Sequence, residues 1–118
     1  MTTGTQLESL RAQVTQALGQ LASTVTTHAD QARPTPGHVA CLIEAPDITW
    51  TGMANEPHAT WRIDLIAGTA STQADSLPLL WQALDLIAAA GINIQDAQPI
   101  SYSLAGVGSL AAYQATIQ

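Results

Sequence analysis

The sequence predicts one α+β domain over residues 1–118: a mixed, mostly antiparallel sheet of four to five strands with two helices packed on one face, in the order α-β-β-β-α-β-β. Three observations predict it. Two segments carry apolar residues at spacings of three and four, the mark of amphipathic helices. Several short runs alternate apolar and polar residues with a period of two, the mark of half-buried strands. These runs follow one another at hairpin-scale distances, which favours antiparallel pairing and leaves the helices to cover one face.

The first helix is predicted over 6–28. Leu7, Leu10, Val14, Ala17, Leu18, Leu21 and Val25 fall in a stripe about 100° wide, and Glu8, Arg11, Gln13, Gln16 and Gln20 occupy the rest of the cylinder. Pro34, Pro36 and Gly37 break the chain within 32–38. Residues 39–45, closed by Pro46, read as a strand; 48–51 read as a second short strand and 52–57 as a turn-rich loop. Trp61, Ile63 and Leu65 then alternate with Arg62, Asp64 and Ile66, giving a third strand before the polar connection at 68–75.

Asp75 or Ser76 can cap the second helix, Pro78 suits its first turn, and Gly91 sits just past its end. Over 77–90, Leu77, Leu80, Trp81, Leu84, Ile87 and Ala88 form a core-facing stripe. Leu79, Ala83, Leu86 and Ala90 form a second apolar face, widening the apolar arc to roughly 220° where a surface helix needs about 100°. The excess requires a cover, which makes Leu79, Ala83 and Leu86 candidate oligomer-interface residues. Residues 92–98 and 100–104 are strand-like, and a glycine turn follows at 105–109. Over 110–118, Tyr113, Ala115 and Ile117 share one face and Gln114, Thr116 and Gln118 the other, so the chain closes on a hairpin.

Composition narrows the function. The apolar fraction of 47% excludes general disorder. Only 10% of the residues are charged, against about 25% in an average soluble domain. Arg11, Arg33 and Arg62 are the only Lys or Arg residues, and they face nine carboxylates for a net charge of -6. Such a surface is covered by Thr, Ser, Gln and Ala, or is partly hidden against other copies. The acidic balance argues against tight nucleic-acid contact, which needs cations to neutralise phosphates. Cys41 is the only cysteine, so no intrachain disulfide is expected and a reducing cytoplasm is the natural setting. The Thr- and Gly-rich start reads as a frayed terminus rather than a signal peptide. The longest apolar stretch, 77–90, falls short of the roughly 20 residues a membrane span needs, so a soluble protein is expected.

Chemistry is hard to find. His28, His38 and His58 are widely spaced and lie in or near loops, with no HExxH or CxxC pattern, so no metal and no cofactor is expected. Cys41 sits within an apolar strand beside Ala40, Leu42 and Ile43, where a thiol behaves as a small hydrophobe. Gly106, Gly108 and Ser109 resemble the start of a phosphate loop, but neither a lysine nor a helix follows, and a hairpin turn explains them better. Asp64 and Glu44 can in principle meet across strands; solvated faces are the expectation for both. Trp61 and Trp81 read as core residues, whereas Trp50 precedes a loop and reads as an interface anchor. The residues therefore point to a structural subunit rather than an enzyme.

The layout resembles that of the tail terminator proteins of long-tailed bacteriophages, related to minor tail protein U of the lambda type. The likeness lies in the long N-terminal amphipathic helix, the break at Arg33, Pro34, Thr35, Pro36 and Gly37, and the central strand at 60–66. It continues in the capped helix at 75–90 and in the final strand after a glycine turn at 108–115. The resemblance implies a ring, typically a homohexamer, that caps the tail tube, stops its polymerisation and provides the head-joining surface. It implies no catalytic activity. Its implied partners are further copies of itself, the tail tube protein and head-tail connector or neck proteins, with DNA passing through the lumen without specific binding. Its implied location is the head-proximal end of the tail in the virion, after assembly in the host cytoplasm. A head-to-tail connector or neck protein remains an alternative, as does a ferredoxin-like small-ligand-binding module with a pocket of convergent polar groups. A small enzyme would need Asp64, His58 and Cys41 within mutual reach.

Overall fold

The structure, a computed structural model, describes residues 3–28, 38–51, 56–67, 73–104 and 108–117. The proline-rich break, the loop at 52–55, the connection at 68–72 and the glycine turn at 105–107 lie outside the described residues. The chain is α+β. Helix α1 (Thr3–Leu18) and a 3₁₀ turn (Gly19–Leu21) lead into strands β1 (Ala22–Thr26), β2 (Val39–Ile43), β3 (Asp47–Thr51) and β4 (Glu56–Ala67). Helix α2 (Gln73–Ala89) and the hairpin β5 (Ile94–Leu104) and β6 (Gly108–Ile117) complete it. The sheet order is β1-β2-β4-β6-β5, with β3 paired to β4 off that path. Only β1 and β2 run parallel among the described pairings.

The sheet thus has six strands, because the predicted first helix stops early. Gly19 takes φ +56, a left-handed turn that ends a helix cheaply only at glycine. Ser23, Thr24, Val25, Thr26 and Thr27 follow, a run whose β-branched side chains suit a strand. Leu18, Leu21 and Val25 kept helical spacing by coincidence. A register shift between Ala22 and Thr24 lets both Ala22 and Val25 reach the helix side of the sheet. At the other helix, the α-turn bonds begin at Gln73, so Asp75 and Ser76 lie inside α2 rather than capping it. Its end is as expected: Gly91 takes φ +86 and its N–H bonds the Ala88 carbonyl at 3.1 Å.

Both helices pack on one face. Leu10, Val14 and Leu18 of α1 and Leu80, Ala83 and Ile87 of α2 meet Val39, Cys41, Ile43, Trp61, Ile63, Leu65, Ala115 and Ile117 of the sheet. The opposite face carries a smaller apolar cluster of Ala40, Leu42, Ile66, Leu110 and Ala112, edged by Ile100 and Tyr102. β2 is buried at all five positions as a result. β5 continues through Pro99 as one strand, which an edge position permits because the missing N–H would face no partner.

β4 has two halves. Residues 61–67 lie between β2 and β6, and residues 56–60 run on with β3 as their only described neighbour. That outer part is a two-stranded flap. It includes Glu56 and Pro57, which the sequence pattern assigns to a loop.

Candidate functional site: an exposed flap and a buried carboxylate pair

In an antiparallel ladder directly opposed residues share a face. Ile48 stands opposite Ala59, and Trp50 opposite Pro57, on the side that continues from Trp61 and Ile63. The helix-side face of the sheet therefore extends along the flap as an apolar strip: Ala59 at its base packs against the core and shares a cleft with α1, and Ile48 and Trp50 lie beyond it. Trp50 is 63% exposed and Ile48 36%. At the base of the flap Arg62 donates to the Asp47 carboxylate, tying β4 to β3. That hydrogen bond first, and the charge of Asp47 second, hold the guanidinium pKa above its ordinary value.

The interface candidates on α2 divide. Leu79 and Leu86 are half-buried against the core, so part of each side chain remains on the surface. Ala83 is completely buried, which removes it from any surface of the folded chain. Conversely, Trp81 and Ala88, assigned to the core stripe, are exposed, Trp81 at 49%. The helix is rotated from the expected setting. A small side chain at 83 lets α2 approach the sheet closely, while the bulky indole lies outside and its Nε1–H donates to the Tyr113 hydroxyl at 2.9 Å. Trp61 is buried as expected.

The second constellation lies on the face away from the helices. Asp64 is only 3% exposed, contrary to the expectation of a solvated face. Its neighbours across the ladder are Leu42 and Gln114, and the chain just past β2 brings up Glu44, whose N–H bonds the Arg62 carbonyl at 2.9 Å. The Gln114 amide nitrogen donates to both carboxylates, at 2.7 Å to Glu44 and 3.2 Å to Asp64. Burial first, then the Glu44 charge, push the Asp64 pKa up to about 6, and the Gln114 hydrogen bond opposes the rise. Burial also raises the Tyr102 hydroxyl, with Asp64 and Glu44 adding to it. Asp64 is thus buried and Glu44 half-buried beside it, with Gln114 already occupying one oxygen of each carboxylate.

The other candidates do not join it. Cys41 points to the helix side, fully buried, and burial followed by Asp64 raises its thiol pKa to about 12, far from a reactive thiolate. His58 is exposed on the flap, and His28 and His38 are exposed beside β1 and β2. Asp64 and Cys41 thus lie on opposite faces of the sheet, and His58 is six residues from Asp64 along β4, about 20 Å at the usual rise. Among the described residues no three His, Cys, Asp or Glu side chains converge as a metal site, and no helix is long and apolar enough to cross a membrane.

Two clefts flank Trp61. One of about 300 Å³ lies between the start of α1 and the end of α2 and is lined by Gln6, Ser9, Gln13 and Asn93 with Ile92 and Ile117. The other, about 280 Å³, lies at the end of β2 and is lined mainly by Leu7, Ile43, Ala45 and Pro46, with Glu44 beside them. The carboxylate pair was legible as two residues of one alternating register, but its burial was not. The flap had only Trp50 as a signal. The sequence matches no protein-family model and no curated protein.

Proposed function

We propose that the chain is a structural subunit that assembles with copies of itself into a ring, in the manner of a phage tail terminator. The ring, a homohexamer by that resemblance, caps a tail tube, ends its polymerisation and presents a surface for head joining. The observation that carries this reading is the flap, whose apolar face ends in a tryptophan 63% exposed. A two-stranded ribbon is marginal on its own, and an uncovered apolar strip on it gains most from a partner surface. The composition supports the same reading, since a net charge of -6 suits a lumen along which DNA slides without sticking. Light scattering of the purified chain, alone and with tail tubes, tests it. The expected result is a particle of about six copies by analogy with closed rings, seated at tube ends. A chain that remains monomeric and leaves tube growth unchanged overturns it.

A second reading, a small-ligand-binding module, is favoured by the amide- and hydroxyl-lined cleft between α1 and α2. Neutral polar ligands suit those groups. Chemical-shift changes at Gln13 and Asn93 in a ligand screen support it, and their absence removes it.

A further inference from the structure

The chain carries both a knob and a hole. The knob is Trp50, set on the charge-free face of the flap with Ile48, Pro57 and Ala59. The hole is the apolar cleft formed by Leu7, Ile43, Ala45, Pro46 and Trp61. At about 280 Å³ it is at the small end of ligand pockets, a volume suited to one bicyclic ring. Trp50 cannot fill the hole of its own chain. Pro46 lies at the foot of β3 and Trp50 four residues up an extended strand, about 14 Å away at the usual rise, and the pairing with β4 holds it there.

Charge favours a second copy as the occupant. Two chains of net charge -6 repel over most of their surfaces and can meet only where charge is scarce. Among the described residues the flap face has none, and Glu44 is the only charged residue at the cleft. Glu44 carries its carboxylate to the other face of the sheet, where it accepts the Gln114 amide at 2.7 Å. Building on the self-assembling reading above, we infer that the flap of one copy docks on the next, with Trp50 seated in the cleft of Leu7, Ile43 and Pro46. Knob and hole are different surfaces of one chain, so the contact is head-to-tail and propagates until it closes on itself. Each contact buries on the order of 200 Å² on the flap side from the two large side chains. A stable pair needs roughly 800 Å² per partner, so isolated dimers are weak and closure supplies the stability.

Sedimentation velocity over a concentration series tests the contact with Trp50→Ser, which removes the knob, and Ala45→Arg, which blocks the hole at an exposed position. The parent chain self-associates as concentration rises. Each variant alone keeps the parent's circular dichroism and stays monomeric, its dissociation constant raised about tenfold or more. The equimolar mixture forms weak dimers at the top of the concentration series and nothing larger, because Trp50→Ser supplies the open cleft and Ala45→Arg the intact flap. Self-association of Ala45→Arg at the parent's strength overturns the contact while leaving a ring built through another surface. A parent chain that stays monomeric at every concentration removes contact and ring together.

Discussion

The two halves of β4 invert the usual rule about what is inside a protein. In the inner half an aspartate is 3% exposed; in the outer half the flap leaves a tryptophan 63% exposed. Both sit on alternating strands of ordinary pattern, so the residues themselves do not decide their burial. Neighbouring strands do. Residues 61–67 have β2 on one side and β6 on the other, with two helices over one face and the Ala40 and Leu42 cluster on the other. Residues 56–60 have only β3 among the described strands. The inner half can hold a carboxylate because Gln114 and Glu44 are brought to it. The outer half holds up β3 and its Trp50 indole, which nothing within the described chain covers. The first arrangement serves the fold, and the second is the surface that the proposed self-assembly uses.

The largest effect that tests this division is in the inner half. Leu65→Ala removes a fully buried side chain between β2 and β6 and leaves a cavity under both helices. It is expected to cost about 2–5 kcal/mol in urea denaturation, within the range for buried leucines. A loss below about 1 kcal/mol would show that the inner half is loosely packed, and would break the comparison.

The next effect is smaller and depends on pH. Asp64 has an ordinary value of 3.8 and is pushed up to about 6 in the folded chain, so the fold binds the proton more tightly than the unfolded chain does. Its contribution is fully present below about 3.8 and is lost as pH rises through 6; above that, the buried charge opposes folding. Asp64→Asn keeps an oxygen for Gln114 and supplies an N–H toward Glu44, mimicking the protonated acid. Relative to the parent, the variant is expected to gain on the order of 2 kcal/mol at pH 7 and nothing at pH 3.5, read from paired denaturation curves. A variant no more stable at pH 7 would mean that Asp64 stays solvated.

Much of the layout was legible in the sequence, for reasons that also explain the misses. The alternation at 110–118 placed Tyr113, Ala115 and Ile117 together on one face, which the structure turns to the helices, because one covered face imposes a strict period of two. The glycine after α2 was legible because a positive φ favours that residue. β1 was not, since Leu18, Leu21 and Val25 satisfy helical spacing and local propensity had to outvote it. The face of α2 was misread because Trp81 counts as apolar on a wheel, whereas its N–H finds the Tyr113 hydroxyl at the surface. Asp64 looked solvated because its shield comes from Leu42, Glu44 and Gln114, residues up to fifty positions away that no local pattern reveals.

The smallest effect on stability belongs to the flap, and it sharpens the contrast most. Trp50→Ser deletes the most exposed large apolar side chain among the described residues. If the outer half of β4 is shaped for a partner, the folded monomer gains little from that indole, and the change in unfolding free energy should stay within about 0.5 kcal/mol, as for ordinary surface positions. The measurement is made at a concentration low enough to keep the parent monomeric, so that mass action does not enter the comparison. A loss of about 2 kcal/mol or more, the scale of a buried aromatic, would place Trp50 against its own chain. The two halves of β4 would then be alike, both serving the fold, and the case for a partner on the flap would end there.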